Sequence, residues 1–189
     1  MSVVVLERNH GKGEAVRVGL IHASRLGNAW IGYVDADLAT PVGEILRLLD
    51  IATNSVGIDV VLASRIAMLG RDVRRSAFRH YTGRVFATFA SAVLGKPVYD
   101  TQCGAKLFRR TAAMDRSIAV PFHSRWAFDV ELLGRLDANG VPPSAFREEP
   151  LQAWHDIAGS RRRVWASVRA TADLLVIRRH LRNDPRLRR

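Results

Sequence analysis

Short apolar runs alternate with segments of helical periodicity along the first third of this chain. Residues 3–6, 29–34 and 58–63 are brief apolar stretches, as is typical of strands buried on both faces of a parallel sheet. Helical patterns separate them at residues 13–24 and 41–53. The order strand, helix, strand, helix, strand predicts an α/β fold with a mostly parallel sheet flanked by helices.

Three further helices are predicted at residues 75–94, 126–139 and 161–182. The first of them ends at Gly95-Lys96-Pro97, because Gly and Pro commonly follow the end of a helix. Asp100 opens a loop and short strand that extend to Phe108. The last helix carries an apolar face, formed by Val164, Trp165, Val168, Ala172, Leu175 and Val176. We therefore expect a core at residues 1–160 and a basic amphipathic helix and tail at 161–189.

Positive charge is concentrated at the carboxyl terminus. The chain has 29 Lys and Arg against 18 Asp and Glu, a formal net charge of +11. Residues 161–189 hold ten arginines against Asp173 and Asp184, a net of +8, which leaves +3 for residues 1–160. Such a tail suits an anionic membrane surface or nucleic acid, and a merely solvated tail is a third reading. Nucleic acid is not expected, because Trp165 is the one aromatic residue of the tail and no helix-turn-helix or zinc signature is present.

The expected location follows from three simple features. No uninterrupted apolar run reaches the roughly 18 residues that cross a bilayer, and the first residues lack the basic lead-in of a signal peptide. The one cysteine, Cys103, cannot form an internal disulfide and suits a reducing compartment. We expect a cytoplasmic protein, soluble or peripheral at a membrane.

The sharpest local motif is Asp35-Ala36-Asp37, directly after the apolar run that ends at Val34. Carboxylates at the carboxyl end of a strand lie where α/β sheets bind their ligands. Such a pair can hold a hard divalent cation, which neutralises the phosphates of a nucleotide. A turn that caps the next helix is the alternative interpretation of the same residues.

Two more segments carry groups that bind phosphate. Asn9-His10-Gly11-Lys12-Gly13 precedes a predicted helix, where backbone N–H groups and the Lys12 ammonium can approach an anion. Ser64-Arg65 follows a predicted strand, and Arg71, Arg74, Arg75 and Arg79 come next. Arginines in such a position suit a phosphate group. A structural Gly-Lys turn and a solvated basic helix face are the alternatives.

Two motifs in the second half of the chain complete the set. Asp100-Thr101-Gln102-Cys103-Gly104-Ala105-Lys106 precedes a short strand, and Arg125-Trp126-Ala127-Phe128-Asp129-Val130-Glu131 opens a helix. Residues two apart on a helix do not share a face, so at most one of Asp129 and Glu131 points at a given site. An acid there acts as a general base or compensates the helix dipole.

In their order and spacing, these motifs resemble those of the family-two GT-A glycosyltransferases. The last two, with Trp154 and Gly159-Ser160 beyond them, are most similar to the dolichyl-phosphate β-glucosyltransferase branch. The resemblance implies a GT-A (Rossmann-like) fold and the inverting transfer of a hexose, glucose by preference, from a nucleotide sugar to a polyprenyl phosphate. It also implies a peripheral enzyme on the inner, cytosolic face of a membrane.

The resemblance assigns roles to individual residues. Asp35 and Asp37 match the motif that holds Mg²⁺ or Mn²⁺ and the donor diphosphate, and Lys12, Gln102 and Lys106 fall in the donor-binding motifs.

Three further residues match catalytic positions. Arg65 and Arg79 match arginines around the acceptor phosphate and the donor, and Asp129 matches the acid often proposed as the base. The role of a base is light here, because a lipid phosphate is already ionised near neutral pH and needs positioning more than deprotonation.

The chain departs from the family pattern in two places. Ala39 stands where some relatives supply an amide ligand to the metal. Such enzymes also begin with a segment that grips the nucleotide base, and nothing before Ser2 matches it. The GT-A core is therefore expected to be N-terminally incomplete, and a non-catalytic fragment that binds a membrane or a partner is the alternative function.

Overall fold

A computed structural model describes residues 3–74, 77–155 and 163–183, with backbone alone at 77–80 and 163–171. The strands are β1 (Trp30–Val34), β2 (Val60–Ser64), β3 (Asp72–Arg74), β4 (Ala105–Arg109), β5 (Phe146–Pro150) and β6 (Ala153–His155). The helices are α1 (Lys12–Ser24), α2 (Val42–Asn54), α3 (Ala77–Leu94), α4 (Ala112–Ile118), α5 (Phe128–Ala138) and α6 (Arg163–Asn183), with a 3₁₀ turn at Pro143–Ala145. The five predicted helices are confirmed to within about two residues at each end.

The main sheet has the strand order β1-β4-β2-β5. Strands β1, β2 and β5 run in one direction, as expected, but β4 lies between β1 and β2 and is antiparallel to both. The sheet is therefore mixed: β2 and β5 pair in parallel, whereas both pairs that involve β4 are antiparallel. Because β4 is reversed, its amino end lies at the same edge as the carboxyl ends of β1 and β2.

The strand predicted at residues 3–6 is absent. Val3 is 80% and Val5 is 83% exposed, and the segment pairs with no strand in the described part of the chain. A β-branched run becomes a strand only where a neighbour satisfies its backbone groups. β1 is an edge strand of the sheet, and residues 3–6 do not reach its ladder.

Two apolar layers cover the main sheet, and β2 contributes to both. Val60 and Leu62 face a cluster completed by Leu20, Met114 and residues of α5. Val61 and Ala63 face the other side, where Leu48 and Ala52 of α2 pack. All five residues of β2 are buried, as predicted for a strand covered on both faces.

Helix α6 packs on α3 and α5 and forms a third apolar cluster. Leu174 and Ile177 are 2% and 0% exposed and contact Phe86 and Val130.

The apolar face predicted for α6 is therefore not the one that the core buries. Its described side chains point outward, with Leu175 70% and Val176 55% exposed. The reason is that α3 and α5 contact the opposite side of the helix. The side chains of Val164, Trp165 and Val168 lie outside the described residues, and the division at residue 160 stays a prediction.

Candidate active site at the carboxyl edge of the sheet

Three of the predicted motifs meet at one edge of the main sheet. Asp35 follows the end of β1, Arg65 follows the end of β2, and the loop 100–104 enters β4 between them. The reversed direction of β4 explains the meeting, because it brings the start of that strand to the ends of its neighbours. This is the edge at which α/β sheets place their ligands.

Asp35 is held from two sides. Its carboxylate lies 2.6 Å from the ammonium of Lys12, and its backbone N–H donates to the carbonyl of Gly104 at 2.7 Å. A Cβ atom at residue 104 would overlap the Asp35 carboxylate. Only glycine therefore fits at position 104. Lys12 and Asp35, which the resemblance assigns to donor binding, lie side by side.

Asp37 lies in a tight turn. Its Oδ1 atom accepts a hydrogen bond from the backbone N–H of Ala39 at 3.1 Å, and Leu38 between them has φ of 60°. A left-handed conformation at a leucine is uncommon, and such strain is concentrated at functional sites. Asp37 thus forms a turn, which leaves the metal assignment open, but it does not cap the next helix, because α2 begins after Pro41 without a side-chain cap.

The donor chemistry at this edge fits a divalent cation. Asp35 and Asp37 supply carboxylate oxygens, which Mg²⁺ and Mn²⁺ prefer, and Lys12 shows that positive charge is stabilised beside Asp35. No group of three or more His, Cys, Asp or Glu side chains suited to a metal occurs among the described residues. Water and substrate oxygens would complete the coordination of a bound ion.

Arg65 is fixed by a forked ion pair with Asp100. Its Nε and Nη2 atoms each donate to a different oxygen of that carboxylate at 2.7 Å, and its backbone N–H donates to the same group at 3.0 Å. Burial alone lowers the pKa of Arg65, but the adjacent carboxylate outweighs burial and holds the pKa above its ordinary value. The guanidinium also lies over the ring of Trp154, 5.4 Å from its centroid. Arg65 is therefore a permanent, oriented cation.

Glu148 of β5 anchors the start of the loop 100–104. Its two carboxylate oxygens accept hydrogen bonds from the backbone N–H groups of Tyr99 and Asp100 at 2.8 and 2.7 Å. Burial raises the pKa of Glu148, and the two backbone donors oppose that rise. Glu148 was not predicted from the sequence. Its one signal was the acidic pair Glu148-Glu149 directly before Pro150.

Lys106 and Asp129 form a buried ion pair beneath the edge. The Lys106 Nζ atom lies 2.7 Å from an Asp129 oxygen, with side-chain exposures of 0% and 4%, and it also donates to the carbonyl of Cys103 at 2.5 Å. The Tyr33 hydroxyl donates to Asp129 as well. Burial, and then Asp129, raise the pKa of Tyr33 far above its ordinary value. Lys106 and Asp129 thus contact each other rather than open solvent.

Glu131 diverges from Asp129, as the helical spacing predicted. It is 1% exposed and pairs with Arg135 at 2.6 Å and with the ring of His123 at 2.7 Å. It also accepts a hydrogen bond from the backbone N–H of His123 at 2.9 Å. This acid stabilises the segment before α5 and does not reach the edge of the sheet.

Arg125 connects the segment before α5 to the Gly-Lys loop. Its side chain donates to the carbonyls of His10 and Asn9 at 3.1 and 3.2 Å, and its own carbonyl accepts from the N–H of Gly13 at 3.2 Å. Lys12 therefore depends on a residue more than 100 positions away. Sequence spacing carried no signal of that contact.

The remaining arginines occupy different places. Arg71 donates to the carbonyl of Pro150 at 3.3 Å, and Arg74 lies on β3 and pairs with Asp72 at 2.8 Å, so neither belongs to the helix predicted from residue 75. Arg79 lies on α3, and its side chain lies outside the described residues. Arg75 is likewise outside them.

Some polar atoms at this edge have no hydrogen-bond partner among the described residues. They are the Ser64 and Thr101 hydroxyls and the Gln102 side-chain nitrogen. Lys96, away from this edge, has a buried ammonium without a hydrogen bond, but it forms an ion pair with Asp137.

None of the helices in the described part of the chain has the length and apolar character needed to span a bilayer.

Comparison with known proteins finds similar sequences of one name. The chain is 35% identical over 181 residues to the dolichyl-phosphate beta-glucosyltransferase of Dictyostelium discoideum, covering 92% of the chain and 52% of that protein. The human protein of the same name is 34% identical, with 93% and 54% covered. The chain thus spans about half the length of the curated relatives that it matches.

Solved structures share the fold. Glucosyl-3-phosphoglycerate synthase from Mycobacterium tuberculosis, in complex with Mn²⁺, UDP-glucose and glycerol 3-phosphate, superposes with a TM-score of 0.63 at 21% identity. The match covers 92% of this chain and 56% of the synthase. The predicted α/β GT-A fold is therefore confirmed.

The family model for "Glycosyl transferase family 2" matches residues 1–116, more than half of the chain. The chain therefore belongs to glycosyl transferase family 2.

Proposed function

We propose that this chain is the catalytic part of an inverting glycosyltransferase that moves glucose from a nucleotide sugar to a polyprenyl or dolichyl phosphate. The observation that carries the proposal is the charge arrangement at one edge of the sheet. There Asp35 lies beside Lys12 and the carbonyl of Gly104, and Arg65 is paired with Asp100 at the start of the same loop. Asp37 follows Asp35 by two residues, in a turn. Carboxylates suit a metal-bound diphosphate, and fixed cations suit phosphate groups.

The donor diphosphate belongs beside Asp35. Asp35 and Asp37 would hold Mg²⁺ or Mn²⁺, which supplies charge neutralisation to the departing nucleoside diphosphate when bound. Lys12 lies 2.6 Å from Asp35, so its ammonium is placed to pair with a phosphate oxygen there. Glucosyl-3-phosphoglycerate synthase, which shares the fold, is solved with Mn²⁺ and UDP-glucose, and this supports a metal-dependent use of a nucleotide-sugar donor.

The acceptor phosphate belongs beside Arg65. Asp100 fixes the guanidinium, so the cation is oriented before the acceptor arrives and loses little entropy on binding. Arg79 of α3 is a second candidate for the same phosphate.

Asp129 fits a positioning role better than that of a base. Its carboxylate is paired with Lys106 and accepts from the Tyr33 hydroxyl, so its oxygens are already engaged within the protein. The ionised acceptor phosphate attacks without the help of a base. Lys106 in turn holds the carbonyl of Cys103, so the pair fixes the loop between the two substrates.

The lipid acceptor implies that the protein binds a membrane surface. Helices α3 and α6 carry exposed apolar side chains that suit such binding. On α6, Leu175 and Val176 are exposed, and Arg178 and Arg179 beside them are exposed too. On α3, Tyr81, Val85 and Phe89 recur every four residues with exposures of 70%, 58% and 52%. Apolar side chains next to arginines suit the headgroup region of an anionic cytosolic leaflet.

The test is transfer of labelled glucose from UDP-glucose to a polyprenyl phosphate in the presence of Mn²⁺. We expect a chloroform-soluble product that disappears with Asp37→Asn, a variant of nearly equal volume. Arg74→Ala, in an exposed pair on β3, is the matched control and should retain full activity. Absence of transfer, or transfer that Asp37→Asn leaves unchanged, would refute the proposal.

A non-catalytic binding module is the second candidate function. The exposure of Val3 and Val5, together with the position of β1 at the edge of the sheet, favours it, because such an edge pairs readily with another strand. Calorimetry distinguishes the two candidates. Affinity for UDP-glucose in the presence of Mn²⁺ supports the enzyme, and the absence of any heat supports the module.

A further inference from the structure

Lys12 lies between two glycines that both contact the segment leading into α5. Gly11 has φ of 94°, and a Cβ atom there would lie 2.6 Å from the Nε atom of Arg125. A Cβ atom at Gly13 would lie 2.9 Å from the Cβ atom of the first residue of α5. Neither position has room for a side chain. The Gly-Lys loop is therefore pressed against this segment on both sides of Lys12.

Arg125 joins the two chain segments by hydrogen bonds. Its Nε and Nη2 atoms donate to the carbonyls of His10 and Asn9 at 3.1 and 3.2 Å. Its own carbonyl accepts from the N–H of Gly13 at 3.2 Å. These contacts lie before and after Lys12 along the chain, so Arg125 is placed to fix the conformation of the whole loop.

The segment that carries Arg125 is itself held in place. The Ser124 hydroxyl donates to the carboxylate of Asp173 in α6 at 2.5 Å, and it accepts from the backbone N–H groups of Trp126 and Ala127 at 3.2 and 2.8 Å. Ser124 is only 2% exposed. Arg125 therefore extends from a segment that α6 anchors directly beside it.

We propose that Arg125 is a positioning residue for the donor diphosphate and that it acts through Lys12. It fixes the loop in which the Lys12 ammonium lies 2.6 Å from the Asp35 carboxylate. Without this support, a loop with glycines on both sides of the lysine samples many conformations, and ordering them weakens binding. The inference rests on the proposed function, because the diphosphate beside Asp35 is the ligand concerned.

The first experiment measures the environment of Lys12 and requires no ligand. The chain has three lysines, Lys12, Lys96 and Lys106, so acetylation by acetic anhydride followed by peptide mass spectrometry gives a rate for each. The side chain of Lys12 is 29% exposed and that of Lys106 is 0% exposed. In Arg125→Met, we expect Lys12 to react at least about threefold faster, because the loop opens and its ammonium leaves Asp35. The rate at Lys106 should not change.

Arg116→Met is the matched control for this labelling. Arg116 of α4 is also exposed and also joins two segments, since it donates to the side chain and the carbonyl of Asn139 at 3.0 and 3.2 Å. Its replacement should leave the rate at Lys12 unchanged. Equal rates at Lys12 in Arg125→Met and the wild type would refute the inference. A rate at Lys106 that rises together with that at Lys12 would show a general loosening of the fold and would overturn it as well.

The second experiment tests whether Arg125 acts through Lys12. Isothermal titration of UDP in the presence of Mn²⁺ compares the wild type, Arg125→Met, Lys12→Met and the double variant. We expect Arg125→Met to bind UDP about tenfold more weakly, as for the loss of one charged hydrogen bond. In the Lys12→Met background the same change should have no further effect, because two residues that act as one unit are not additive.

The other outcomes of the titration are distinct. A further loss of affinity in the Lys12→Met background would mean that Arg125 contacts the diphosphate itself or supports the fold, and the inference would be wrong. Unchanged affinity in Arg125→Met would also refute it and leave the proposed function intact. A wild type that binds no UDP would refute the proposed function and the role in diphosphate binding, whereas the acetylation rates decide separately whether Arg125 positions Lys12.

Discussion

The buried pair of Lys106 and Asp129 offers the strongest test of how this site is held together. Replacing Lys106 by Met keeps the aliphatic length of the side chain and removes its charge. Asp129, 3% exposed, would then be a buried carboxylate with Tyr33 as its remaining described partner. The carbonyl of Cys103 would lose the hydrogen bond from Lys106.

The structure sets the expected magnitude. Removal of one partner of a buried ion pair costs about 3–5 kcal/mol, because the other charge stays desolvated. For a chain of this size, each kcal/mol lowers the melting temperature by roughly 2–4 °C. Lys106→Met should therefore melt about 6–20 °C below the wild type.

Urea denaturation followed by tryptophan fluorescence and far-ultraviolet circular dichroism measures the effect. Adding Asp129→Asn removes the stranded charge and keeps an oxygen for Tyr33, so the double variant should regain more than half of the loss. As a control, Arg74→Ala breaks a pair whose side chains are 77% and 50% exposed, and it should change stability by less than about 1 kcal/mol. The reasoning is refuted if Lys106→Met costs under about 1 kcal/mol, or if the double variant is no more stable than the single one.

Three further predictions concern other residues at the same edge. Gly104→Ala would push a methyl group into the Asp35 carboxylate and should weaken Mn²⁺ binding at least about tenfold by electron paramagnetic resonance. Unchanged Mn²⁺ binding in Gly104→Ala would contradict this geometry. The control is Gly19→Ala in α1, where the added methyl group meets open space and should stabilise the fold by about 0.5–1 kcal/mol. Burial raises the pKa of Cys103 from 9.0 to about 11, so alkylation of the native thiol at pH 8 should be about 100-fold slower than in urea, and equal rates would show an accessible thiol. Burial also raises the pKa of Glu148 above 4.5. The wild type should therefore lose free energy of unfolding relative to Glu148→Gln as the pH rises through that pKa. A gain in this free energy, measured by urea denaturation, would show that the pKa is lowered rather than raised.

The sequence was sufficient for the fold class and for the placement of Asp35 and Arg65 at one edge of the sheet. Helices α1, α2, α3, α5 and α6 follow from periodicity and end signals, because those patterns act over a few residues. Asp35 after β1 and Arg65 after β2 were likewise predictable, since the carboxyl ends of strands that run in one direction meet at one edge.

Long-range pairing was not predictable in the same way. The insertion of β4 between β1 and β2 and the missing strand at residues 3–6 both depend on which neighbours a strand finds. A short apolar run carries no record of its partner or of its direction. Likewise, the periodicity of α6 marked Leu175 and Val176 as an apolar face, but only the packing on α3 and α5 decides that Leu174 and Ile177 are buried and that this face stays exposed.

The sequence alone therefore determined which chemical groups are available: two carboxylates after a strand, a Gly-Lys turn before a helix and an arginine after the next strand. Only the tertiary structure decided how those groups are paired. It joined Lys12 to Asp35, Arg65 to Asp100 and Lys106 to Asp129, and it left Thr101 without a partner among the described residues. The physical reason is that charge pairing and hydrogen bonding depend on distances of about 3 Å, and such distances between remote residues exist only once the sheet and helices have packed.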